Sequence, residues 1–153
     1  MIVTTLANRL NLKQQTLSTV ESCTGGGIAA RCTDVPGSSA WFVGGVVTYS
    51  NDMKVRLGVE EEAILNHGAV SEAVVRQMAE QGRMFCSADW SIAVSGIAGP
   101  DGGTPDKPVG TVWFAWAGPQ QTDTECKVFT GNRQQIRQQA VDFALQTLTD
   151  LLN

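Results

Sequence analysis

Apolar and polar positions along the chain repeat with two different periods, and the switches between them outline a succession of elements. Leu6, Leu10 and Leu12 recur among polar residues, which predicts a short helix ending near residues 11–13. Leu17 to Glu21 then reads as a first strand. It stops at Ser22, Cys23 and Thr24 followed by Gly25, Gly26 and Gly27, and Ile28 to Cys32 reads as a helix. Asp34 to Ser39, with Pro-Gly and three serines or aspartates, is a loop that Trp41 and Phe42 anchor. Val43 to Tyr49 is β-branched and glycine-bearing, as expected of a buried strand with a close neighbour.

Ser50, Asn51 and Asp52 predict the start of a short helix through Lys54 to Leu57, and Glu60 to Glu62 the start of another, because carboxylates favour the positive end of a helix. Ser71 opens a longer helix whose apolar face is expected to run through Val74, Val75 and Met78 to Met84 and Phe85, interrupted by Gly82. Trp90 to Val94 is the next strand and leads into a second glycine-rich loop, Gly96 to Gly103. Val109 to Ala117 and Thr124 to Phe129 flank Gly118-Pro119-Gln120-Gln121, which predicts an antiparallel hairpin with Trp113 and Trp116 on opposite faces. Ile136, Ala140, Phe143, Ala144, Leu148 and Leu151 mark a long C-terminal amphipathic helix. Early strands alternating with helices, followed by a hairpin, predict an α/β fold: a three-layer α/β/α sandwich on a mixed, mostly parallel sheet, in one domain over residues 1–153.

Composition narrows the partners. A net charge of −4 without any cluster of Lys and Arg argues against a nucleic-acid-binding face. No apolar run approaches the ~20 residues that span a bilayer, and the first residues lack a signal-peptide pattern, so no membrane partner and a cytoplasmic location are expected. Cysteines 23, 32, 86 and 126 form no CxxC pair, and His67 is the single histidine, so no metal site and no cofactor are expected. Cys32, Cys86 and Cys126 fall in apolar segments and are expected as small buried side chains. The apolar face of the last helix and the tryptophan-bearing hairpin motivate an expectation of a homodimer.

Chemistry concentrates where strands end. A strand running through a glycine turn into a helix leaves backbone N–H groups converging on one spot, suited to a phosphate or a developing oxyanion, with Ser22 at its lip. A tight turn with Ser or Thr as an N-cap accounts for the same residues without any function. Serine is a weak nucleophile until a base takes its proton, and Lys54 is the candidate base beside Tyr49, the single tyrosine. To act near neutral pH its pKa must fall from about 10.4 to roughly 7–8, which takes burial near positive charge or helix N-termini. A solvated lysine paired with a carboxylate is the alternative. The chain lacks the P-loop, GxGxxG, GxSxG and SxxK patterns, so general motifs decide no further.

The ordered set Glu21-Ser22-Cys23-Thr24-Gly25-Gly26, Gly37-Ser38-Ser39-Ala40-Trp41-Phe42, Gly45 to Asn51 with Lys54, His67 to Glu72, Ser95 to Gly103 and Lys107 to Val112 resembles the carboxy-terminal domain of the competence/damage-inducible protein CinA, in its stand-alone form as a nicotinamide-nucleotide amidase. The resemblance covers nearly the whole chain. It implies hydrolysis of the carboxamide of nicotinamide mononucleotide to nicotinate mononucleotide and ammonia, in pyridine nucleotide recycling, without a metal. It also implies Ser22 as nucleophile, Lys54 as its base and Tyr49 bonding in the same site. The substrate's phosphate would lie on Thr24, Gly25 and Gly26 or on the loop of Gly99 and Gly102 near Gly96, with Arg133 supplying charge. Fuller members carry an additional amino-terminal domain, and this sequence is expected to hold the amidase part alone. Asn132 stands where the pattern has Asp before Arg133. A non-catalytic pyridine-nucleotide sensor and an amidase of another substrate stay open beside this reading.

Overall fold

In a computed structural model, which describes residues 1–153, helix α1 (Ile2–Lys13) leads into strand β1 (Leu17–Glu21), α2 (Gly27–Cys32) and, after a single 3₁₀ turn, β2 (Phe42–Val47). Helices α3 (Asn51–Leu57), α4 (Glu61–His67) and α5 (Glu72–Cys86) follow, then β3 (Trp90–Gly96), β4 (Thr111–Ala117), β5 (Thr122–Val128) and α6 (Arg133–Leu151). The strands form one sheet in the order β2-β1-β3-β4-β5. β1 pairs in parallel with both β2 and β3, whereas β4 runs antiparallel to β3 and β5 antiparallel to β4. Four of the five strands therefore point the same way, and the hairpin reverses β4 alone. No helix is long and apolar enough to cross a membrane.

Period-two alternation divides the core between the two faces of the sheet. Ile92 and Val94 of β3 and Val112, Phe114 and Trp116 of β4 enter one cluster with Leu6 and Leu10 of α1, Ile28 of α2 and Ile136, Leu145 and Leu148 of α6. Ala93, Ala115 and Ala117 face the other way, against Val59, Ile64, Val74, Val75 and Met78. The first face is filled by aromatics: Phe114 stacks on Trp116 at 5.7 Å and meets Phe143 of α6 edge-on at 4.9 Å, while Trp116 Nε1 donates to the Ala144 carbonyl. The apolar face of α6 and the Trp116 face of the hairpin thus cover each other within the chain, while Trp113 packs on the opposite face.

The second face is built from small residues because α5 lies close to the sheet. A Cβ on Gly82 would collide with Val20 Cγ2 and crowd Ser91 Oγ at 3.1 Å, so this glycine is the contact point of the helix rather than a break in its apolar face. The buried stripe is Val74, Val75, Met78, Ala79 and Gly82. Met84 and Phe85 do not continue it: the helical period carries Met84 around to solvent, and Phe85, in the last turn of α5, is 72% exposed. Leu12 is exposed for the same reason as Met84, and Leu151 is exposed as the last residue of α6. Two further expectations are corrected. β2 is an edge strand, not a buried one, with Val43 and Val47 exposed, although Gly45 does face a close neighbour in the Thr19 hydroxyl. Cys126 is exposed on the outer strand β5 and Cys86 only half-buried, while Cys32 is buried.

Candidate active site

Ser22 is the first residue beyond β1. Its N–H still bonds the Val94 carbonyl of β3 at 3.0 Å, so the sheet fixes the backbone up to this point. The chain then turns: Gly25 N–H donates to the Ser22 carbonyl and Gly27 N–H to that of Thr24. Gly25 (φ +61°) and Gly26 (φ +103°) hold the left-handed backbone that this reversal requires and that a side chain would strain.

Lys54 reaches the same place from α3. Ser50 caps that helix by accepting from Met53 N–H, and the first helical turn carries Lys54 inward under the ends of β1 and β2. Its Nζ lies 3.0 Å from Ser22 Oγ, 2.8 Å from the Thr48 carbonyl and 3.1 Å from the Tyr49 carbonyl. The side chain is 1% exposed and forms no ion pair, so the solvated, carboxylate-paired lysine is not what the chain contains. Burial lowers its pKa to about 8. A Cys23 thiolate would oppose that shift, but burial pushes the Cys23 thiol itself up to about 11 and keeps it protonated at neutral pH. Desolvation is the leading cause here, with no cationic neighbour called upon. In the neutral state two N–H bonds satisfy the two carbonyls and the lone pair faces the Ser22 hydroxyl.

A cleft of about 290 Å³ opens above Ser22 and Cys23, bounded by Tyr49, Gly96, Gly99, Gly102 and Arg133, with Asp101 at its wall. Tyr49 contributes twice. Its carbonyl touches Lys54 and, at 3.4 Å, the Ser22 hydroxyl, whereas its ring is 60% exposed and its hydroxyl accepts from Arg133 Nη2 at 3.2 Å. Arg133 opens α6 and donates through Nη1 to the Gly99 carbonyl at 2.7 Å, tying the second glycine loop to the helix. Asn132 fills the position expected to be Asp without disturbing this turn: its side chain accepts from Gln135 N–H while Gln135 Oε1 accepts from Asn132 N–H, a complete capping box.

The family model for the CinA C-terminal domain matches residues 1–152. This chain belongs to that family. The nicotinamide-nucleotide amidohydrolase PncC of Escherichia coli K12 is 52% identical over 91% of the chain and 86% of its own length, and the PncC of Pseudomonas putida 50% identical over 97% and 96%. A crystal structure of a CinA superfamily protein from Klebsiella pneumoniae superposes with a TM-score of 0.95 at 41% identity, over 99% of this chain and 95% of that one.

In this CinA C-terminal domain, Ser22, Tyr49, Gly96, Gly99, Gly102 and Arg133 meet at one cleft with Lys54 directly beneath, while Thr24, Gly25 and Gly26 lie behind it. The Thr24 hydroxyl is buried and donates to Glu21 Oε1 at 2.6 Å. The first N–H groups of α2, those of Ile28 and Ala29, are also taken by the Glu21 carboxylate. Sequence reasoning overlooked Glu21 and Arg137, which donates to the Cys23 and Thr24 carbonyls at 3.0 and 3.2 Å. An ionisable residue ending an otherwise uncharged strand, and an arginine one helical turn after Arg133, were the available signals. The donors left without partners include two whose residues line the cleft. The Cys23 N–H bonds no acceptor, and the Gly96 N–H, which the register of β3 turns toward β1, loses its natural partner because the Ser22 carbonyl has swung to Gly25. Gly96 tolerates no side chain, since a Cβ there would sit 2.6 Å from Val112 Cγ2. No group of three His, Cys, Asp or Glu side chains is placed to hold a metal ion.

Proposed function

We propose that the protein hydrolyses the carboxamide of nicotinamide mononucleotide, giving nicotinate mononucleotide and ammonia, and so serves pyridine nucleotide recycling. The observation that carries the proposal is the buried Lys54 amine 3.0 Å from Ser22 Oγ with its other hydrogen bonds satisfied by two carbonyls. A domain that only sensed the nucleotide would have no use for a desolvated lysine against a serine. The names of the PncC relatives supply the substrate.

In this mechanism neutral Lys54 accepts the Ser22 proton as Oγ attacks the amide carbon. The N–H groups of Cys23 and Gly96 receive the charge that develops on the carbonyl oxygen. Collapse of the tetrahedral intermediate breaks the C–N bond, and Lys54 returns the proton to the leaving nitrogen, which departs as ammonia. A water, deprotonated by the same amine, then hydrolyses the nicotinoyl ester and frees Ser22. The phosphate end of the substrate pairs with Arg133 at the Gly99–Gly102 side of the cleft, as a guanidinium suits a phosphate. Incubating the purified protein with nicotinamide mononucleotide should release ammonia and nicotinate mononucleotide in equal amounts, with nicotinamide and its riboside turned over far more slowly. Binding of the nucleotide without ammonia release would replace the enzyme with a sensor, and equal turnover of the riboside would remove the phosphate from recognition.

A further inference from the structure

Immediately before the nucleophile stands a carboxylate for which the reaction above has no step. Glu21 is the last residue of β1, is 1% exposed, and has no Lys, Arg or His within ion-pairing distance. An isolated buried carboxylate is strongly disfavoured unless hydrogen bonds to its charged form replace the lost water. Three do so: Oε1 accepts from Thr24 Oγ1 at 2.6 Å and from Ile28 N–H at 2.8 Å, and Oε2 from Ala29 N–H at 3.0 Å. All three partners are donors, so an acceptor-only ionised carboxylate fits where an amide would turn an NH₂ group against an N–H.

These bonds join the end of β1 to residues three, seven and eight positions later and close the segment that carries Ser22 and Cys23 into a ring. The other side of the ring is held by Arg137 through the Cys23 and Thr24 carbonyls. The Thr24 hydroxyl and the Ile28 and Ala29 N–H groups are thereby committed to Glu21 and the Cys23 and Thr24 carbonyls to Arg137, while the N–H groups of Cys23, Thr24 and Gly26 stay free. We infer that Glu21 is a positioning residue for the reaction: with Thr24 as its first partner it clamps the nucleophile turn so that Ser22 Oγ stays within hydrogen-bonding distance of Lys54. The inference rests on the serine–lysine reading of the site. The clamp also commits the Thr24 hydroxyl to Glu21 rather than to the substrate's phosphate.

The test compares Glu21→Gln, Thr24→Val and Thr24→Ser with the wild type below their melting temperatures, measuring kcat and KM for nicotinamide mononucleotide and the rate at which an alkyl fluorophosphonate labels Ser22. Misplacing a reacting atom by about 1 Å costs on the order of 10²-fold. Glu21→Gln should therefore lose at least about tenfold in kcat with KM within about threefold, its labelling should slow in parallel, and the pH midpoint set by Lys54 should stay in place. Thr24→Val should show the same split more mildly, and Thr24→Ser, which retains the hydroxyl, should recover most of the loss. A folded Glu21→Gln protein with kcat within about threefold of wild type, or one whose loss lies in KM, would overturn the inference. Should Glu21→Gln fail to fold, equal kcat values for Thr24→Val and Thr24→Ser overturn it. If the wild type labels but does not release ammonia from the nucleotide, the substrate reading falls while slowed labelling of Glu21→Gln still supports the clamp; a wild type that does neither overturns both.

Discussion

The two loops of this domain that are rich in glycine have opposite physical characters. Residues 22–27 are tied on every side: to β3 through Ser22 N–H, to Glu21 through Thr24 and the start of α2, and to α6 through Arg137. Residues 100–106 are solvent-exposed, and the anchors of this loop are few, chiefly the bond from Arg133 to the carbonyl of the buried Gly99 and the pairing of Thr104 with Lys107. In the proposed mechanism the group that must meet an amide carbon in one geometry sits on the tied loop. The surface that would admit and release a nucleotide lies on the open one, in keeping with the need of chemistry for rigid placement and of binding for adjustment.

The division can be broken most directly at Ser22. Ser22→Ala should abolish ammonia release while nucleotide affinity, measured by calorimetry, stays within a few-fold, because the hydroxyl goes but the cleft wall remains. Cys23→Ala should stay active, since the Cys23 thiol is protonated near neutrality and its contribution is a backbone N–H. Reversal of these two results would move the nucleophile to Cys23.

The next largest effect belongs to Lys54. Lys54→Arg keeps the charge but cannot give up its proton, so kcat should drop by roughly 10²–10⁴, the span of general-base catalysis, with little change in affinity. The wild-type rate should rise with pH, because the neutral amine is the active form and its pKa is lowered to about 8. Between pH 7 and pH 9 the neutral fraction grows about tenfold, and kcat should follow it to a plateau. A flat profile, or an arginine variant within about tenfold of wild type, removes the base role from Lys54.

On the open loop the effects should be smaller and of a different kind. Arg133→Gln removes the guanidinium that holds both the Gly99 carbonyl and the Tyr49 hydroxyl. The loss of one charged contact to phosphate predicts a KM increase of roughly 10–100-fold, with kcat changed less. A variant that loses kcat with KM intact would place Arg133 with the tied loop and erase the contrast between the two.

Much of the fold was readable from local patterns. The polar-to-apolar switch at Ser71, the serine cap at Ser50 and the Gly118–Gln121 turn sit where the helices and the hairpin begin. The alternation of Trp113 and Trp116 correctly put them on opposite faces. Reading failed where a residue's surroundings come from another element. Phe85 and Met84 look like core and face water, and β2 has the composition of a central strand yet lies at the edge. Within the site, the glycine turn pointed to Ser22 and the need for a base to Lys54 beside Tyr49, but their joint roles came from family resemblance, because nothing in their spacing reveals that they meet. Glu21 and Arg137 escaped notice since a carboxylate ending a strand and an arginine on a polar helix face have many unremarkable uses.

The order of elements, the two periodicities and the glycine turns follow from the sequence alone, since each reflects backbone geometry over a few residues. That Lys54 lies against a serine 32 positions earlier, and that Glu21 turns into α2 rather than into solvent, were decided only by tertiary structure. A pKa is a property of what surrounds a group. The low dielectric that lowers that of Lys54 exists only once α3 has packed its first turn beneath the converging ends of β1 and β2.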